Sequence, residues 1–109
     1  MVEIRRYVTE SGTDVFGEWL NKLRDARTRA KVAARIDRLA VGNFGDCKPI
    51  RDGVWELRID RGPGYRVYYG MVEQSLVLLF CGGDKRRQAA DIKRAVEYWA
   101  DYKHRSSIS

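Results

Sequence analysis

Within WELRIDRGPGYRVYYG, residues 55–70, Glu56, Arg58, Arg66 and Tyr68 fall at alternate positions on either side of a Gly-Pro-Gly turn. If two strands pair across that turn, these side chains share one face, with cross-strand neighbours about 5 Å apart. Two guanidiniums, a carboxylate and a phenol then converge within the span of one phosphodiester, and the planar fork of arginine matches phosphate oxygens. The plain alternative is a solvated sheet face on which Glu56 and Asp60 pair with Arg58 and Arg66, an arrangement that contributes little to stability. A second basic group weighs against it. GGDKRRQAADIKRA, residues 82–95, puts Lys85, Arg86 and Gln88 in the first turn of a helix that follows the last strand. From there they reach the same face, and the helix start adds unpaired backbone N–H groups that attract anions. The G-x-x-x-x-G-K-[ST] spacing of a nucleotide-hydrolysing loop is absent. With scattered carboxylates and a lone histidine, His104, the chain offers no metal-ligand set.

The elements that must position these groups follow from periodicity. VEIRRYV, residues 2–8, has the β-branched and aromatic content of a strand and runs into Ser11-Gly12. Phe16, Trp19, Leu20 and Leu23 then recur at helical spacing, with Thr13 or Asp14 as the cap. Asp25 opens a second helix, in which Val32, Ile36 and Leu39 form the apolar stripe among Arg24, Arg27, Arg29, Lys31, Arg35 and Arg38, and Gly42 closes it. The short link between them predicts an antiparallel helical hairpin. Residues 42–53, GNFGDCKPIRDG, read as loop because Gly and Pro interrupt every period.

Three strands follow. Trp55, Leu57 and Ile59 alternate with polar residues, as do Val67, Tyr69 and Met71, whereas LVLLFC at 76–81 is apolar on both sides and belongs at the centre of the sheet, covered on both faces or nearly so. Asp84 caps a last helix with the stripe Ala89, Ile92, Val96 and Trp99. One domain over residues 1–103 is expected, with 104–109 as a frayed tail. The predicted class is α+β: an N-terminal strand and helical hairpin packed on an antiparallel strand meander, followed by a C-terminal helix. The helices are expected on the face carrying Trp55, Leu57, Val67 and Tyr69, leaving Glu56, Arg58, Arg66 and Tyr68 on the other.

Bulk composition bounds the function. The chain has 109 residues, 44% of them hydrophobic and 33% charged, which suits one globular unit and excludes intrinsic disorder. A formal charge of +6 favours an anionic partner, nucleic acid first. No apolar run is long enough for a membrane span, and MVEIRRYVTE carries charge where a signal peptide is apolar, so no membrane association and a cytoplasmic location are expected. Cys47 and Cys81 read as free thiols.

Residues 53–69, GVWELRIDRGPGYRVYY, and 81–95, CGGDKRRQAADIKRA, resemble toxins of the RelE/ParE superfamily, and in particular the phage-derived, HigB-like "addiction module killer protein" branch. An F-x-x-W-L-x-x-L helix at 16–23 and a G-N-F-G-D loop at 42–46 extend the resemblance, which covers residues 2–100. It implies a RelE-like fold and the toxin of a type II toxin–antitoxin module. Such a toxin cleaves mRNA in the ribosomal A site without metal or other cofactor and is silenced by a cognate antitoxin of helix-turn-helix type. Carried over residue by residue, the working cations are Arg58, Arg66 and Arg86, with Lys85 beside them. Tyr68, Gln88, Arg61 and Lys93 are the candidates for holding RNA. The tyrosine that such toxins carry in the last helix aligns with Ile92, and the HigB-type histidines have no counterpart.

In metal-free RNA cleavage a 2′-OH attacks the adjacent phosphate, so the site needs a base, a stabiliser of the phosphorane dianion, and an acid for the departing 5′-oxygen. Arg58 and Arg66 suit the middle task. Lys85, with its pKa lowered by neighbouring cations, is the candidate base and Glu56 its competitor. Tyr68 either stacks on a base or donates a proton. Two other readings stand beside this one: a ParE-like inhibitor that only binds DNA gyrase, and a non-toxic nucleic-acid-binding module using the basic helix from Arg24 to Arg38.

Overall fold

The structure, a computed structural model, describes residues 1–108, with side chains through residue 107. It is an α+β sandwich. Its elements are β1 (Glu3–Arg6), α1 (Val15–Lys22), α2 (Ala26–Ala40), β2 (Cys47–Arg51), β3 (Val54–Ile59), β4 (Tyr65–Val72), β5 (Leu76–Asp84), a 3₁₀ turn (Lys85–Arg87) and α3 (Gln88–Ile108). The five strands form one sheet in the order β1-β5-β4-β3-β2, antiparallel except for the β1–β5 pair.

Helix boundaries follow from side-chain caps. Asp14 accepts the Gly17 N–H at 2.9 Å, and Asp25 accepts that of Arg27 at 3.0 Å, each satisfying a donor that the first helical turn leaves over. At the end of α2 the Gly42 N–H reaches Leu39 O and the Asn43 N–H reaches Arg38 O, a Schellman closure that requires the left-handed φ of +85° at Gly42.

The helical hairpin lies on one face of the sheet, where Phe16, Val32 and Leu39 pack on Leu57, Ile59, Val67, Tyr69, Val77 and Leu79. α3 lies on the other, as the two apolar sides of LVLLFC require but contrary to the expectation that the helices share the Leu57 and Val67 face, and there Ala95 and Trp99 pack on Val54, Tyr68, Leu78, Phe80 and Cys81. The cause is β5: a strand apolar on both sides needs cover on both, and only α3 has a free apolar stripe. Its buried seam is Asp91, Ala95 and Trp99, while Ala89 is exposed.

Two further expectations are corrected. Residues 47–51 are not loop but edge strand, paired with β3 through Cys47–Leu57, Lys48–Glu56 and Pro49–Trp55. Pro49 is tolerated because an edge strand needs no donor on its outer side. Residues 104–108 of the expected frayed tail are helical, and position 109 of it lies outside the described residues. Arg105 holds this helical end by bonding Asp101 one turn back and the Val8 carbonyl, both at 2.7 Å.

The β4–β5 connection places Glu73 and Gln74 at φ of 59° and 90°. The three-residue connection is closed by the Ser75 N–H on the Val72 carbonyl at 3.2 Å, and a turn with both central residues left-handed favours Asn-Gly and strains residues that carry side chains. Replacing Glu73-Gln74 by Asn-Gly is expected to stabilise the fold by about 1 kcal/mol, an increase of roughly 4–8 °C in melting temperature for a domain of this size. Differential scanning calorimetry checks it.

Candidate functional site

Strand register brings the first group together. Glu56 pairs with Tyr68 and Arg58 with Arg66 across β3 and β4. Glu56 is fully buried. Its Oε1 accepts Arg58 Nε at 3.1 Å, and its Oε2 accepts Gln88 Nε2 at 3.0 Å and lies 3.5 Å from Arg66 Nε. A carboxylate removed from water is tolerable only when its charge and lone pairs are met, and two guanidiniums and an amide meet them here.

Both arginines approach Glu56 through Nε, and among the described residues their Nη ends make no hydrogen bond. The Arg58 side chain is 40% exposed and that of Arg66 14%. They line a recess of about 240 Å³ with Ile59, Gly64, Tyr65 and two acidic residues, Asp46 and Asp60, which oppose an anion there. Such a recess offers two guanidinium forks, held from behind, to an anion in front.

The other predicted residues divide. The Lys85 N–H bonds the Gly64 carbonyl at 3.1 Å, which docks the 3₁₀ turn on the recess rim, and the exposed lysine side chain has no partner among the described residues. Arg86 is 87% exposed and loosely paired with Asp84 at 3.4 Å. Gln88 reaches Glu56 and serves the interior rather than a ligand.

Three of the candidates for holding RNA are placed elsewhere. Arg61 is committed to the helical hairpin, bonding Thr28 Oγ1 at 2.9 Å and Asp25 Oδ2 at 2.8 Å. Lys93 is exposed on the side of α3 away from its buried seam. Tyr68, expected to stack on a base, has no exposed surface because α3 covers it. Burial and then the Glu56 charge push its phenol well above the usual tyrosine value, so it stays protonated. Glu56, offered as a competing base, has both oxygens engaged and no access to solvent, the arrangement of a group that positions others.

Asp91 and Arg94 escaped the sequence reading. Asp91 faces the sheet from α3, so close to Gly83 that a β-carbon there would lie 1.9 Å from Asp91 Oδ2. On the opposite face Trp19 covers Gly82 in the same way, 2.3 Å from a would-be β-carbon. Burial raises the Asp91 pKa, with the Arg94 charge opposing. The available signal was the Gly82-Gly83 pair itself: two glycines inside a strand mark close approach of other groups from both sides.

Residues 18–97 match the family described as phage-derived protein Gp49-like. A protein of Haemophilus influenzae (strain ATCC 51907 / DSM 11121 / KW20 / Rd), described only as uncharacterized, is 55% identical over 83 residues, covering 76% of this chain and 84% of that protein. The chain belongs to the Gp49-like family of phage-derived proteins.

Two stability outcomes follow. Glu56→Gln sets an amide donor against a guanidinium or the Gln88 amide and is expected to cost about 1–3 kcal/mol, and Arg58→Ala, which leaves the buried Glu56 Oε1 without its donor, is expected to cost about as much. Gly82→Ala and Gly83→Ala each force side chains out of place and are expected to cost about 1–3 kcal/mol or more. Urea denaturation with a common slope measures all four.

Proposed function

We propose that this protein is the toxin of a toxin–antitoxin module of RelE/ParE type, and that it cleaves mRNA on the ribosome by attack of a 2′-OH on the adjacent phosphate. The observation that carries the reading is the buried Glu56, hydrogen-bonded to Arg58 Nε and 3.5 Å from Arg66 Nε, which leaves the Nη ends of both for the recess that the two arginines line.

A phosphate seated there receives charge-assisted hydrogen bonds from fixed donors, and these strengthen as the phosphorane gains charge. Because Glu56 already holds the arginines in place, little reorganisation accompanies the reaction. Lys85 on the rim is the group placed to exchange protons with the 2′-OH, and Arg86 adds positive potential at the approach. The departing 5′-oxygen takes its proton from water or from Lys85 in its charged form, since Tyr68 is sealed beneath α3.

The partners are then the ribosome with its mRNA and an antitoxin of opposite charge, and the cytoplasm is the place of action. The chain's excess of Lys and Arg suits both partners.

Purified protein added to translating ribosomes is expected to cut mRNA, with Arg66→Ala and Lys85→Ala each slowing cleavage by about 100-fold or more while circular dichroism stays native. Lys85, exposed and unpaired, is the cleaner of the two because its loss leaves the core untouched. Unchanged cleavage in both variants overturns the assignment. Inhibition of gyrase supercoiling without RNA cleavage selects the binding-only alternative.

A further inference from the structure

A second recess adjoins the first. Between α1 and the start of α3 a cleft of about 420 Å³ opens over Gly82 and Gly83, within the roughly 300–1,000 Å³ of small-molecule sites. Tyr65 lines both this cleft and the Arg58/Arg66 recess, so the two are neighbours across one side chain. A polymer whose phosphate sits in the first therefore has an adjoining unit within reach of the second.

The cleft's charges balance: Lys22, Arg87 and Arg94 against Glu18, Asp84 and Asp91. That is poor for a phosphate and suitable for a neutral group with donors and acceptors. Its aromatic walls, Trp19 and Tyr65, suit a flat ring.

Two buried polar atoms at the cleft lack partners. The Asp91 side chain is 2% exposed; Oδ1 takes Arg94 Nη2 at 3.3 Å, and Oδ2 takes nothing. Arg94 Nε is likewise unsatisfied. Leaving a buried acceptor and a buried donor unpaired is costly, and a ligand that presents the complementary groups removes the cost.

We propose that this cleft is a nucleobase pocket selective for guanine, holding the nucleoside next to the phosphate at Arg58 and Arg66. The phosphate half of that statement rests on the nuclease reading; the pocket itself does not. Guanine offers ring and exocyclic N–H donors to the Asp91 carboxylate, and its O6 and N7 acceptors match a guanidinium. Adenine turns the lone pair of its ring N1 towards that carboxylate and is rejected. Gly82 and Gly83 complete the site, because a side chain at either position would displace the indole or the carboxylate.

The test is titration of the isotope-labelled full chain with guanosine 5′-monophosphate and with adenosine 5′-monophosphate, followed by the Trp19 indole and the Gly82 and Gly83 amide resonances. Saturable shifts at these positions with guanosine monophosphate are expected, with binding of adenosine monophosphate at least about tenfold weaker. In Asp91→Asn the preference falls below about threefold. If that variant does not fold, the wild-type ratio decides alone. Equal binding of the two nucleotides, shifts confined to other surfaces, or no shifts overturn the pocket. Guanine-selective binding in a protein that cuts no RNA keeps the pocket and removes the nuclease. RNA cleavage with no guanine-selective binding keeps the nuclease and removes the pocket.

Discussion

A carboxylate with no exposed surface has to be answered by its surroundings, and the answer to Glu56 organises one end of the molecule. Arg58 comes from its own strand, Arg66 from the neighbouring strand and Gln88 from the first residue of α3. Removing any of them leaves a buried charge short of a partner, so the three elements are fixed relative to one another at this point. The 3₁₀ turn is held as well, since its Lys85 N–H is bonded to Gly64 while Gln88 is bonded to Glu56. The same arrangement that satisfies the interior aims two guanidiniums outward. Structure and candidate chemistry share one cause there, and a substitution at Glu56 cannot separate them, whereas one at Lys85 can.

Most of the framework was legible because it is local. The four apolar positions of α1, the Asp25 cap and the Gly42 closure depend on neighbours within a turn or two of helix, and the β3–β4 pairing on the Gly-Pro-Gly turn between them. What was missed depends on partners distant in sequence. Pro49 hid β2, although Asp52-Gly53, with φ of 52° and 83°, is a strong two-residue hairpin signal. The placement of α3 was implicit in LVLLFC, whose second apolar side demanded cover, yet the polar positions of β3 and β4 drew the eye to an open face. Once α3 is there, Tyr68 becomes core and Glu56 becomes a buried anchor. Of the candidate site, strand register gave Arg58 beside Arg66 and Glu56 beside Tyr68. Exposure, which decides their roles, did not follow from register.

Net charge says less about ligand contacts than the disposition of each cation. On α2, Arg29 is bonded to the Leu23 carbonyl, Lys31 to the Asp60 carbonyl at 2.6 Å, and Arg35 is buried against the Asp46 and Arg58 carbonyls. Arg61, near the meander turn, is spent on Asp25 and Thr28. These side chains cross-link the hairpin to the sheet, so the basic helix read from composition is in good part internal bracing. That weakens the view of α2 as the nucleic-acid surface, because a cation already hydrogen-bonded to a carbonyl must be released before it can serve a phosphate. Around the recess the position is reversed: the Arg58 and Arg66 forks and the Lys85 ammonium have no competing carbonyl, and Arg86 is held only by Asp84 at 3.4 Å. An anion at the recess breaks no hydrogen bond of the Arg58 and Arg66 Nη atoms but meets Asp46 and Asp60 on the wall, whereas on α2 it would have to break several bonds to carbonyls, so the proposed site costs less reorganisation than α2.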